Sequence, residues 1–166
     1  AMERDDYTVR RFRRGDQRAA LRIWSAGLQQ TVERSPCWCR PLVALLFYVM
    51  RYAVAVRPSG DMHDIAAAWC GGDERAAFVA VHAPSDEVVG FATVKVGATM
   101  GSDEPRDVAS FYRVAVDERH RRRGVYTRLV DELVAWSALR GDVRTLQCHT
   151  GNQVAVVAGE RYGFVV

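Results

Sequence analysis

With 166 residues, the chain is long enough to bury one sizeable core and reads as a single domain over 1–166. Apolar residues make up 49% and charged residues 26%, which excludes a disordered chain. The net charge of +3 is too small for a nucleic-acid binder unless the cations gather in one patch.

The first element is Tyr7 to Phe12, which alternates like a strand and carries Arg10 and Arg11. Gly15-Asp16 gives a turn with Asp16 as N-cap, and Leu21, Ile23, Trp24 and Leu28 mark a helix from about Gln17 to Val32. Ser35-Pro36 breaks it. Cys37 and Cys39 follow; they are too close for an easy mutual disulfide, and Cys70 and Cys148 supply no second pair at metal spacing. All four read as free thiols in a reducing compartment, and no secretory signal is visible. The location expected is therefore intracellular, either cytoplasmic or membrane-associated.

Pro41 to Val56, PLVALLFYVMRYAVAV, is the most unusual segment. Its 16 residues, interrupted by Arg51, fall short of a membrane span of about 20. Three readings compete: a buried core helix, an interfacial helix in peripheral membrane contact with Arg51 snorkelling, and a partner-binding face or remnant of a longer hairpin. Pro58 and Gly60 end the segment. Asp61 then looks like the N-cap of a helix, with Asp64 in its first turn, running to about Cys70 and stopping at Gly71-Gly72. Ala76 to His82 and Glu87 to Val96 form a hairpin about Pro84-Ser85-Asp86, and a polar loop from Gly97 to Arg106 follows.

The stretch that organises the rest is Asp107 to Leu139. Val108 to Val116 is almost continuously apolar and predicts a strand buried on both faces. A basic turn, Arg119 to Gly124, leads into a helix with Leu129, Val130, Leu133, Val134 and Trp136 at helical spacing. Strand, glycine turn and helix together place backbone N–H groups at the positive end of a helix, a site for an anion such as a pyrophosphate. The rival readings of the basic run are a solvated face and a nucleic-acid patch. Beyond Gly141, Val143 to Cys148 is a short strand, Asn152 to Arg161 a last helix, and Gly163 to Val166 the start of another strand. His63, His82 and His120 have no partners at ligand spacing, and no metal is expected.

Arg121-Arg122-Arg123-Gly124-Val125-Tyr126 resembles the acyl-coenzyme A motif of the GNAT superfamily of N-acetyltransferases, Gln/Arg-x-x-Gly-x-Gly/Ala, and Val114-Ala115-Val116-Asp117 resembles the approach to it. Tyr126 departs from the pattern, standing where the family has Gly or Ala. The order of elements follows the superfamily's plan along almost the whole chain. Asp61-Met62-His63-Asp64-Ile65, then Ala77-Phe78-Val79-Ala80 and His120 to Gly124, is similar to the membrane-associated cysteine-conjugate N-acetyltransferase branch, whose longer hydrophobic hairpin here shortens to Pro41 to Val56.

The resemblance implies an α/β (α+β) GNAT fold: a central mixed, mostly antiparallel sheet with a splayed parallel strand pair, flanked by helices. It implies acetyl-coenzyme A as cosubstrate, with the pyrophosphate on Arg121, Arg122, Arg123, Gly124, Val125, Tyr126 and Thr127 and the pantetheine arm along Val114, Ala115 and Val116. Asn152, in Asn152-x-x-Ala155, belongs to the family's last motif and joins the cofactor set. An amine, on a small molecule or a protein, would attack the thioester directly. Catalytic candidates are Tyr112, on one strand face with Ser110, as an acceptor-facing residue or a core aromatic; His149 as a proton relay or a structural histidine; and Tyr162. The family's tyrosine acid falls at Gly159, and Tyr162, three residues on, is displaced by about 4.5 Å along a helix, as a substitute acid or a core residue. The rival is a GNAT-fold module that binds coenzyme A or a partner without turnover. The chain stops two residues after Phe164, before the strands that normally close this sheet, so either the natural protein continues or a second copy supplies the edge.

Overall fold

Among the described residues five strands join in one sheet in their order along the chain: β1 (Tyr7–Arg11), β2 (Arg75–His82), β3 (Glu87–Val96), β4 (Val108–Val116) and β5 (Thr145–Cys148). The first four pair antiparallel, and β4 and β5 pair parallel from Val108 opposite Thr145 to Phe111 opposite Cys148. This computed structural model describes residues 6–34, 36, 38–56, 60–97, 108–140 and 145–148. The expected fold class holds: helices cover both faces of a mostly antiparallel sheet that ends in one parallel pair.

The helices are α1 (Gln17–Arg34), α2 (Arg40–Arg51), α3 (Ile65–Trp69) and α4 (Val125–Ala138). Strand side chains alternate between faces, so β2, β3 and β4 each feed two cores. Phe78, Ala80, Val94 and Phe111 lie beneath α4 with its Val125, Leu129, Leu133 and Trp136. Val79, Val81, Val88 and Phe91 lie on the other face, under Ala20, Ile23 and Trp24 of α1 and Ile65 and Trp69 of α3. Gly90 sets how closely α4 approaches. A Cβ at that position would stand 2.9 Å from Leu129 Cδ1 and 3.1 Å from Val125 Cγ1. The missing side chain thus seats the first turn of α4 directly on β3, where Gly90 faces Val116 at the end of β4.

Several expectations are corrected. Asp16 is not the cap of α1: it lies in a short 3₁₀ turn, and its carboxylate turns back to accept from Arg13 N at 2.7 Å and from both terminal nitrogens of Arg10. The cap of α3 is Asp64, which accepts from Ala67 N at 3.0 Å, while Asp61 is occupied elsewhere. β4 is not buried throughout; Val108 to Phe111 are buried, and Tyr112 to Val116 are half exposed. Pro41 to Val56 is helical as expected, as α2 continued by a π-helical turn at Tyr52–Val56. It is not a buried core helix, since no residue of α2 is buried. The helix packs along α1 and leaves Leu42, Leu45, Leu46 and Val49 more than half exposed on its outer side.

Candidate active site

The half-exposed end of β4 contains a bulge. Phe91 pairs with Ala115 and Thr93 with Tyr112, so Ala92 alone on β3 faces both Arg113 and Val114. Arg113 has φ of +53°, the left-handed region, unusual for a residue other than glycine. A bulge leaves its extra residue out of the ladder and re-aims the strand. Thr93, fully buried, donates its hydroxyl to the carbonyl of Tyr112 at 2.8 Å just before the bulge. The Arg113 guanidinium meets Asp61 with two contacts, Nε to Oδ2 at 3.1 Å and a terminal nitrogen to Oδ1 at 3.2 Å, and lies 5.6 Å from the centre of the Trp24 ring.

Past Val116 the chain turns sharply into α4. A 3₁₀ turn at Glu118–His120 follows Asp117, then Arg122 and Gly124 take left-handed φ values of +62° and +81°. Among the described residues the backbone N–H groups of Arg122, Arg123, Gly124 and Val125 have no acceptor. The first N–H groups of a helix always lack an intrahelical partner, and successive N–H groups about left-handed residues gather into a concave anion site. A Cβ on Gly124 would meet nothing within 4 Å, so this side of the turn is open.

The arginines of the run divide by role. Arg119 is held by Glu87 at 3.0 Å and Asp117 at 3.2 Å, and the Arg22 of α1 joins Glu87 at 3.0 Å. The two arginines beside Glu87 hold its carboxyl below the usual range. At Asp117, partial burial pushes the carboxyl up, but hydrogen bonds and charge from Arg119 outweigh it and keep it low. Arg121 folds back to donate to the carbonyl of Val116 at 3.1 Å and to Gln30 of α1. Its side chain therefore ties the turn to β4 and α1. Arg122 and Arg123 are exposed at the open turn, and Arg123 donates to the Tyr7 hydroxyl at 3.4 Å. The site is thus suited to an anion held by backbone N–H groups, with the exposed guanidinium of Arg122 beside them and that of Arg123, which also reaches the Tyr7 hydroxyl.

Of the residues singled out in the sequence, Val114, Ala115, Val116 and Arg121 through Thr127 come together at the end of β4 and the start of α4. Tyr126, which departs from the motif, packs partly buried against the core beneath α4. Tyr112 is on the opposite face, partly buried, with its ring 5.7 Å from that of Trp69. Ser110, beside it, is fully buried, and its hydroxyl has no partner among the described residues. His149, Asn152, Gly159 and Tyr162 lie outside the described residues, as do the last helix and strand, the loop 98–107, Gly141 and Cys37. Among the described residues no group of three His, Cys, Asp or Glu side chains could hold a metal ion. Sequence reasoning missed Arg113 with Asp61, Thr93 and Tyr7. For Arg113 a signal existed: it is a lone charge inside an otherwise apolar strand run.

Residues 43–164 match the model of the acetyltransferase (GNAT) family. The chain belongs to the GNAT acetyltransferase family. Solved structures share the fold of this GNAT chain. A transcriptional regulator from Bacillus halodurans C-125 is 16% identical with a TM-score of 0.66, over 96% of this chain and 93% of its own. A glucosamine-6-phosphate N-acetyltransferase from Arabidopsis thaliana is 15% identical with a TM-score of 0.59, over 96% and 92%. A GNAT-family acetyltransferase from Staphylococcus aureus Mu50 is 9% identical with a TM-score of 0.63, over 95% and 81%. At such identities the likeness is one of fold. No curated protein matches this GNAT sequence.

Proposed function

We propose that the protein is an acyl-coenzyme A-dependent N-acetyltransferase that moves the acetyl group of acetyl-coenzyme A to an amine by direct attack. The carrying observation is the juxtaposition of the bulge at Arg113 and Val114 with the N–H groups of Arg122 to Val125 at the start of α4. The turn Arg121 to Thr127 would take the pyrophosphate, with Arg122 and Arg123 adding charge. The segment Val114 to Val116 would lie along the pantetheine arm and aim an N–H at the thioester carbonyl, where negative charge develops. A neutral amine attacks the carbonyl carbon, the C–N bond forms, and the C–S bond then breaks to release the thiolate of coenzyme A. An alkylamine is mostly protonated near pH 7, so a base or a water chain must first take a proton; His149 is the candidate relay, and Tyr112 the residue proposed to face the acceptor. Asn152 and Tyr162 complete the proposed set.

The acceptor panel that tests this should hold small alkylamines, lysine peptides and cysteine conjugates, the last because Asp61 to Ile65 resembles the cysteine-conjugate branch. Coenzyme A release with one class of amine supports the proposal. Binding of acetyl-coenzyme A without release by any amine supports the second reading, a coenzyme A-binding module, which the glycine at position 159 favours. A chain that binds no coenzyme A overturns both.

We further propose that the outer side of α2 makes a peripheral contact, with a membrane surface or a second copy of the chain. Leu42, Leu45, Leu46 and Val49 form an exposed apolar stripe at helical spacing, and no acidic residue stands between Glu33 and Asp61. Among the described residues no helix is long and apolar enough to cross a membrane. Flotation with anionic vesicles separates the two contacts: co-flotation lost in Leu45→Glu/Leu46→Glu supports a surface contact. Light scattering that gives a dimer, with no flotation, supports the second.

A further inference from the structure

We propose that Asp61 and Arg113 are a positioning pair whose ion pair holds the β4 bulge in its working shape. The inference rests on the acetyl-transfer reading for its consequence and on geometry for its existence. An L residue other than glycine is disfavoured at positive φ, and a bulge of this kind ordinarily places glycine there. Here the position is an arginine with φ of +53°. Such a conformation persists only where the surroundings over-determine it.

The surroundings do so from three directions. Asp61, in the segment leading into α3, receives Nε and a terminal nitrogen of the guanidinium at 3.1 and 3.2 Å, the forked geometry that fixes orientation as well as distance. Trp24 of α1 lies under the guanidinium at 5.6 Å. Thr93 of β3 holds the carbonyl of Tyr112, the residue before the bulge, at 2.8 Å. The pair is partly buried, with the side chains of Arg113 and Asp61 exposed by 22% and 29%, so solvent does not simply replace it. Residue 114, next in the chain, carries the first N–H of the segment assigned to the thioester. Rotation of the backbone at Arg113 turns that N–H, so the ion pair sets its aim without touching substrate.

The test compares Asp61→Asn, Arg113→Lys, Arg113→Ala and Arg113→Gly in the full chain. Asp61→Asn and Arg113→Lys should each lower kcat by about tenfold to a hundredfold, because a donor misaimed by about an ångström costs that much, while KM for acetyl-coenzyme A stays within about twofold. Together the two changes should cost no more than either alone. Arg113→Gly, free to hold positive φ, should keep more activity than Arg113→Ala. Amide hydrogen exchange at residues 113–115 gives a readout independent of turnover and should quicken by about tenfold or more in Asp61→Asn. Unchanged kcat and unchanged exchange, or additive losses with Gly and Ala alike, overturn the pair. A wild type that turns over no amine, yet shows quickened exchange in Asp61→Asn, overturns the acetyl-transfer reading and leaves the pair standing.

Discussion

The hydroxyl of Tyr7, on β1, lies 3.0 Å from Nδ1 of His120, on the turn that follows β4. Both residues are buried, and the Tyr7 oxygen also receives Arg123 at 3.4 Å. A Tyr7 O–H donating to a neutral imidazole leaves its oxygen to accept from Arg123, so one hydroxyl links the end of the 3₁₀ turn to an arginine three residues on. The His82 ring lies nearby, tilted, with its centre 5.1 Å from that of His120.

Burial lowers the pKa of His120, and the neighbouring His82 adds to this. Protonation is therefore disfavoured in the folded chain relative to the unfolded one, where histidine titrates near about 6.5. Stability from this group is full above that pH and declines as pH falls below it. The carboxylates of Asp117 and Glu87, held low, lose their contribution only in more acidic solution, below about pH 4. Thermal unfolding should thus show a melting temperature flat from about pH 8 to 6.5 and falling toward pH 5. His120→Gln should flatten that fall, and Tyr7→Phe should cost about 1 kcal/mol at pH 7.5. An equal fall in His120→Gln would assign the pH dependence to other groups.

Gly124→Glu should abolish binding of acetyl-coenzyme A in calorimetry, by placing bulk and negative charge on the open side of the turn. Gly124→Ala separates backbone from bulk. Its Cβ meets no neighbour, so only the left-handed conformation opposes it, at about 1–2 kcal/mol of stability. Heat of binding unchanged in Gly124→Glu would move the pyrophosphate elsewhere.

Gly90→Val should destabilise the fold by about 1–3 kcal/mol or more in denaturant titration, since even a Cβ there stands 2.9 Å from a methyl of Leu129, itself fully buried. Lifting the first turn of α4 off β3 should also weaken coenzyme A binding. A variant as stable as the wild type would show that α4 can retreat without cost.

Catalysis should not depend on a tyrosine acid, because position 159 is glycine. A thiol titrates near about 8.5, so its thiolate leaves tolerably without one. Tyr162→Phe should change kcat by less than about tenfold, against the 100- to 10,000-fold that a general acid typically contributes, roughly. A loss of about a hundredfold with coenzyme A affinity intact would make Tyr162 the acid.

Local signals carried most of the fold. The strand bounds Glu87–Val96 and Val108–Val116 were legible because β-branched and aromatic runs end on turn residues. The motif Arg121 to Tyr126 marked the turn into α4 because glycine and the following helix are contiguous in sequence. What the sequence hid is long-range. Asp61 and Asp64 look alike as caps, and only Arg113, far along the chain, decides that Asp61 is taken. The bulge was hidden because its left-handed residue is an arginine, which carries none of the usual turn signal. Arg121 looked like a phosphate ligand, and its engagement with Val116 and Gln30 is visible only once α1 lies across the end of β4.

The parallel pairing of β4 with β5 has a consequence for how the molecule assembles. β2, β3 and β4 follow one another as antiparallel neighbours, whereas β5 reaches β4 only after the whole of α4 has crossed the sheet. Pairings that close longer loops must wait for their chain entropy to be overcome, and parallel ladders need such a crossover. The antiparallel strands can therefore form first, and the β4–β5 junction late. The β4–β5 pairing ends at Phe111 opposite Cys148, three residues before Val114, where the segment proposed for the pantetheine arm begins. Folding intermediates and destabilised variants should lose the β4–β5 pairing while the antiparallel strands persist, so coenzyme A binding, if it needs that pairing as proposed, would report on completion of folding more sensitively than the helix and strand content does.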